Sequence, residues 1–495
     1  MSTPDRRTFL TASALGVGGL AFLDALPAVS AADAKLARLD PDIEPLVRVL
    51  EDTPRDKVLE EVAARIKRGL AYREVLAALL LAGVRNVQPR PSVGFKFHAV
   101  LVVNSAHLAS LAGPDRERWL PLFWAIDYFK SAQAENTRES GWRMGPVDEA
   151  KVPPGHRAGA AFAAAMDGWD VEAADVAVAG LARTGSANEL FELFTHYGCR
   201  DFRDIGHKAI FVANAFRTLQ CIGWRYAEPV LRSLAYALLH HEGDNPAKRD
   251  GDPDRPGRRN AELAGKINPG WRGGRADPAA SGDVLAAVRS GSADGASDKV
   301  VALLNGGMAA AAVWDGLFAG AAEMLMRQPG IVGLHTLTTM NALHYGYQTS
   351  AADATRKVLV LQAAAFLPLF REAMVARGKV SDARIDALEP AEGGGDIGEV
   401  FSVLSRDKAS AARLALGALK ADPANGRKLI DAGRLLVFLK GTDSHDYKFS
   451  AAVMEDYAAI GPAWRDRFLA ASLYWLKGSA GPDAPVVGRT RAALA

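Results

Sequence analysis

From about residue 40 onward, apolar positions recur every three to four residues, the spacing that puts them on one face of an α-helix. Windows 75–84, 160–165 and 409–419 are rich in Ala and Leu and predict buried helices. Strand patterning is sparse. Residues 100–103 are β-branched, but they sit in an alanine-rich, helix-like context. Asp52-Thr-Pro-Arg-Asp and Ser381-Asp-Ala-Arg read as helix starts, and Ala-Gly-Pro114 and Lys-Gly478 as stops. The chain is expected to be all-α.

The pattern also repeats. His98-Ala-Val-Leu-Val-Val-Asn104-Ser-Ala-His107 returns 237 residues later as His335-Thr-Leu-Thr-Thr-Met-Asn341-Ala-Leu-His344. Gly69 and Gly83 return as Gly307 and Gly320. A weaker match, at an offset close to 238 residues, aligns His207 with His445 and Arg217 with Glu455, and brings Trp224 opposite Trp464 two residues further on. Periodicity of this kind predicts an internally duplicated helical-repeat bundle with two pseudo-symmetric halves. Half one is expected at 40–245 and half two at 283–478. The Gly-, Pro- and charge-rich stretch 246–282 reads as a linker, and 479–495 as a frayed tail. Glu392-Gly-Gly-Gly-Asp396 marks a shorter break inside half two.

Composition narrows the function. Hydrophobic residues make up 49% of 495, enough for a sizeable core, and the net charge is only +2. No basic stripe points to nucleic acid. Two cysteines exclude a disulfide framework, a Cys-rich zinc site and an iron–sulfur cluster. Thr3-Pro-Asp-Arg6-Arg7-Thr8-Phe9-Leu10, an apolar stretch over 12–23 and small residues near Ala31 predict a twin-arginine signal over 1–31. The mature protein is then periplasmic or otherwise exported by the twin-arginine machinery, with no stable membrane span. That route carries folded, often cofactor-loaded proteins.

Histidine is the commonest metal ligand, and polar residues that keep register inside apolar runs point to a site. A turn of about 100° per residue puts His98 and His107, nine apart, on opposite faces of one helix. One helix therefore cannot offer both to one ion. The economical arrangement takes one histidine from each of several helices, and His98, His207, His335 and His445 can supply it. His107 and His344 are expected to complete the coordination or line a substrate pocket. Asn104 and Asn341 are expected to orient histidines or substrate. Lys448 lies on the His445 face. As a member of the site it must be neutral, paired with Asp443 or Asp446, or carboxylated into an oxygen ligand. Arg217 and Glu455 are expected to pair across the halves. An imidazole-rich set suits iron, copper, zinc or nickel. His-Glu-x-x-His, Gly-x-Ser-x-Gly and a dinucleotide fingerprint are all absent. That favours O2 chemistry on a small-molecule substrate. The rivals are a zinc hydrolase and a non-catalytic helical-repeat scaffold.

Three segments resemble the questin oxidase-like family, all-helical proteins whose members oxidise aromatic polyketides. Gly333-Leu-His335 through His344-Tyr-Gly-Tyr347, with Gln362-Ala-Ala-Ala beyond, resembles the family's His-rich segment. Asn104-Ser-Ala-His107-Leu-Ala-Ser-Leu-Ala-Gly is similar to its N-terminal cluster, and His445-Asp-Tyr-Lys448-Phe-Ser to its late His/Asp/Lys motif. The family's N-terminal cluster is denser in histidine, its central histidines are closer together, and an export signal departs from its pattern. The resemblance implies a non-haem metal, iron first, and O2-dependent oxidation of an aromatic or similar substrate.

Overall fold

The computed structural model describes residues 35–89, 95–239, 243–392 and 396–495. Among them are 22 α-helices and no strand; a lone bridge joins Arg275 to Met308. The all-α expectation holds. The 100–103 run lies inside helix His98–Ala112, because burial on all sides, not β propensity, decides that segment. The twin-arginine segment lies outside the described residues.

Four helices form the centre: His98–Ala112, His207–Ile222, Ile331–Thr349 and Ser444–Ala459. The first packs on the second and fourth, and the third packs on the same two, closing a ring. Each starts at the same end of the ring and runs the same way, so residues at matching distances from the four histidines face one axis. Other helices return the chain around this ring. One of them, Asp353–Val375, is long and apolar enough to cross a membrane, but most of it is buried in the core.

Glycine permits one critical approach. Gly206 caps the His207 helix at φ +84°, and a Cβ there would lie 2.0 Å from Thr339 Oγ1 in the Ile331–Thr349 helix. The two helices can meet at this end only because that side chain is missing. Asp204 and Ile205, just before it, also hold positive φ, at 54° and 46°. For β-branched Ile205 that is a strained conformation.

The matched glycines behave in two ways. Gly69 and Gly307 both end a helix with positive φ. After them, the Leu70 amide reaches the Arg65 carbonyl at 3.0 Å, and the Met308 amide reaches the Leu303 carbonyl at 3.0 Å. These are the same Schellman closure. Gly83 and Gly320 have different neighbours: Val100 for one, Val288 and Leu367 for the other.

Three readings of organisation need correction. The stretch 246–282 is not a bare linker, since it contains helix Arg255–Ala264. Asn260 there donates to Gln362 Oε1 at 2.8 Å, and Leu263, Ile267 and Trp271 are buried. Its apolar residues are too widely spaced to stand out from the Gly and Pro around them. Ser381-Asp-Ala-Arg opens no helix; Asp386 is instead held by Arg289 and Arg384. The last residues are not frayed: helix Pro485–Leu494 docks through Arg489, Arg491 and the buried Val487.

Candidate metal centre

His98, His207, His335 and His445 bring one ring nitrogen each to within 4.8 Å of all the others, and all four side chains are buried. His98 and His207 open their helices, His445 is the second residue of its helix, and His335 sits one turn into its own. Ring centroids of neighbours around the helix ring are 4.5–5.1 Å apart, and those of the diagonal pair His98 and His335 are 6.5 Å apart. The four can hold a metal ion.

The hydrogen bonds behind the rings fix their chemistry. His207 Nδ1 donates to the Asp204 carbonyl at 2.6 Å, and His335 Nδ1 donates to the Ile331 carbonyl at 2.6 Å. A carbonyl oxygen only accepts, so both Nδ1 atoms carry the proton. Burial pushes both imidazoles well below their ordinary pKa, with nearby charges adding to it, so both rings are neutral. Each Nε2 therefore presents a lone pair. Yet the two Nε2 atoms are 3.0 Å apart, and His207 Nε2 is also 3.1 Å from His98 Nε2. Lone pairs at that separation repel unless a cation lies among them. Nitrogens bound at about 2.0–2.1 Å to one ion, at angles from square to tetrahedral, sit roughly 2.8–3.4 Å apart.

The fourth ring is held by a carboxylate. Asp443 caps the His445 helix and accepts from the His445 backbone amide at 2.8 Å and from Nδ1 at 2.5 Å. That leaves Nε2 as the ligand atom. This is the carboxylate–histidine support common behind metal-bound imidazoles. Burial lowers the His445 pKa, opposed by Asp443.

The remaining candidates lie elsewhere. His107 is not in the cluster; its Nδ1 is 3.1 Å from the Tyr72 hydroxyl. His344 is also outside, packed against Trp314, Phe318 and Tyr347. Burial pushes it down to about 4. The half-turn between residues nine apart separates each from its partner histidine. Asn104 and Asn341 bond no histidine of the cluster. Asn104 Nδ2 donates to Asn214 Oδ1 at 3.3 Å, and Asn341 Nδ2 donates to Glu455 Oε2 at 2.7 Å and Asp456 Oδ1 at 2.8 Å. The carbonyls of Asp204 and Ile331 and the carboxylate of Asp443 do the orienting. A helix pattern could not reveal the two carbonyls, because any residue supplies one.

Lys448 is fully buried beside the cluster, and its Nζ has no hydrogen-bond partner. Burial pushes its ammonium down to about 7, opposed by Asp443. It is not paired with Asp446, whose carboxylate takes Lys477 at 3.0 Å. Below the histidines a narrow cavity follows the ring axis. Lys448, Asn104, Asn214, Asn341, Arg217 and Glu455 line it. The expected Arg217–Glu455 pair is present, Nη2 to Oε2, at 2.7 Å.

No protein-family model, curated protein or solved structure matches the chain.

Proposed function

We propose that the protein is an exported, metal-dependent oxidoreductase that uses O2 on an aromatic or similar organic substrate. One metal ion is held by His98, His207, His335 and His445. The facing Nε2 lone pairs of His207 and His335, 3.0 Å apart with both Nδ1 protons already committed, carry the metal half of this reading. Four neutral nitrogen donors suit iron, copper or zinc rather than calcium or magnesium. Iron comes first, through the resemblance to questin oxidase-like proteins. Bound iron would supply the electrons that activate O2.

The O2 half of the reading is supported by the resemblance and by the lack of hydrolase and dinucleotide-binding motifs in the sequence. The two halves are proposed to be duplicates. The identical closures at Gly69 and Gly307 support this, as does the packing of His107 and His344 on the helices preceding their own.

The test is purification of the mature protein after twin-arginine export from a bacterial host, with metal analysis and O2 uptake on phenolic substrates. The expected result is about one iron or copper per chain and O2 consumption without nicotinamide or flavin. Stoichiometric zinc without O2 uptake would move the protein to the hydrolase reading. A metal-free protein would leave the scaffold reading.

A further inference from the structure

The cavity below the histidines has about 10 Å³ of free space, room for one water molecule. Its walls are layered. Ile210, Thr338 and Lys448 each follow their histidine by three residues, about 4.5 Å along the helix, and form the layer next to the metal centre. Asn104, Asn214 and Asn341 follow theirs by six or seven residues and form the next layer. Arg217, Asn341 and Glu455 line both this cavity and a vestibule of about 270 Å³. The Arg217–Glu455 pair, at 2.7 Å, balances the charge at that junction. Size, not charge, therefore decides what passes from the vestibule toward the histidines.

Two buried polar atoms of these walls lack partners, and they are complementary. Asn214 Nδ2 donates to the Leu101 carbonyl at 2.9 Å, which turns Asn214 Oδ1 to accept from Asn104 Nδ2 at 3.3 Å. The Asn104 amide is thereby fixed, and its Oδ1 is left as an acceptor without a donor. Lys448 Nζ is a donor without an acceptor. It carries N–H groups both as an ammonium and as an amine, so this role does not depend on its charge. Side chains on a helix lean toward its N-terminus, which brings Lys448 back toward the layer of His445. Besides burial, the Lys448 charge helps to hold His207, His335 and His445 below the ordinary histidine pKa, so it stands near three of the four rings. A buried donor and a buried acceptor left unmatched are costly; one small molecule that accepts from Lys448 and donates to Asn104 satisfies both.

We propose that this cavity is the binding place of a single small ligand of the metal, one or two heavy atoms in size, which accepts a hydrogen bond from Lys448 while the close walls exclude anything larger. Water fills the place at rest, bridging Lys448 to Asn104, and a molecule the size of O2 replaces it; an organic substrate stops at the vestibule. The inference rests on the metal-centre reading and names the class of ligand that reaches the ion.

Nitric oxide is the probe, a diatomic acceptor whose stretching frequency reports a nearby donor, and imidazole is the bulky rival. Anaerobic titrations use the full chain loaded with Fe(II) and its Lys448→Met and Lys448→Ala variants, with iron content measured in each. Nitric oxide should bind the parent, and imidazole should not compete. Lys448→Met keeps the bulk and removes the donor: affinity for nitric oxide should fall about tenfold, the worth of one hydrogen bond, and the N–O stretch should rise, with iron content unchanged. Lys448→Ala opens the cavity, and imidazole should then weaken nitric oxide binding by about tenfold or more. Imidazole that competes in the parent overturns the inference, as does a folded Lys448→Ala variant that still excludes it. So does Lys448→Met with the parent's affinity and stretch, and so does loss of iron from that variant, which would make Lys448 itself a ligand. If Lys448→Ala does not fold, the parent and Lys448→Met decide. Iron-loaded parent that binds no nitric oxide refutes this inference alone, whereas a chain that takes up no metal refutes the reading on which it rests.

Discussion

Asp443 shows how much a single residue does at this site. It accepts two hydrogen bonds, capping a helix and holding the His445 ring. Asparagine caps a helix about as well as aspartate, so Asp443→Asn keeps the cap and removes the charge. Losing a carboxylate behind a metal-bound imidazole typically weakens metal binding about 10–100-fold. Competition titration with a chromophoric chelator should find Asp443→Asn in that range, with thermal stability of the metal-free protein nearly unchanged. Affinity equal to the parent would mean that His445 does not ligate. Residue spacing made this set partly legible. His98, His207, His335 and His445 stand out because polar residues kept register inside apolar helices. The same register drew in His107 and His344, which a half-turn of helix sends to Tyr72 and to Trp314 and Phe318. The sequence pattern offers Asp443 only as a possible partner for Lys448. Its role behind His445 needs the helix start fixed at Ser444, and helix ends are what a sequence specifies least.

Element by element, the core helices were readable and the surface ones were not. Continuous apolar runs such as 75–84 declare themselves. Helix Pro485–Leu494 does not, because it buries only two apolar side chains fully, Val486 and Val487, and leans on two arginines for much of the rest of its docking. Arg489 reaches Asp127 Oδ1 at 2.7 Å and the Arg55 carbonyl at 2.7 Å, while Arg55 donates to both Asp127 oxygens. Burial alone would raise the Asp127 carboxyl; hydrogen bonds from the two arginines outweigh it and hold the pKa below the ordinary carboxylate value. A depressed folded pKa gives stability that is complete above the unfolded value of about 3.9 and lost as pH falls through the folded one. Asp127→Asn should therefore lower stability by about 1.5–3 kcal/mol at neutral pH. The gap to the parent should close as pH drops below about 4. Chemical denaturation over a pH series reads both, and a gap independent of pH would show that packing, not charge, holds the C-terminal helix. The ring helices invite a second test at Gly206. Placing alanine there puts a Cβ on Thr339 and forces a side chain to φ +84°. Gly206→Ala should shift His207 and lose metal as well as stability; full metal occupancy in a folded variant would show that the helix approach is looser than the packing implies.

Across the whole molecule, the cluster joins helices whose histidines stand 347 residues apart, from His98 to His445. Nothing local in the sequence brings them together. The arrangement depends on four helices starting at one end of the ring, which is visible only once the returning helices are in place. In the metal-free protein the facing lone pairs of His207 and His335 work against that closure, and an ion among them reverses the sign of the interaction. Metal should therefore bind the folded chain and not the unfolded one, in which the histidines are scattered. A ligand at a hundred times its dissociation constant then stabilises by about 2.7 kcal/mol. For a chain of this size that corresponds to a rise of roughly a few degrees in melting temperature. Scanning calorimetry of chelator-stripped protein, with and without added Fe(II) under anaerobic conditions, should show the rise. The His335→Ala variant should not show it, and its metal-free melting point should fall by less than a cavity of that size would predict, since the repulsion with His207 is gone. A rise of the same size in His335→Ala would place the stabilising ion elsewhere in the chain.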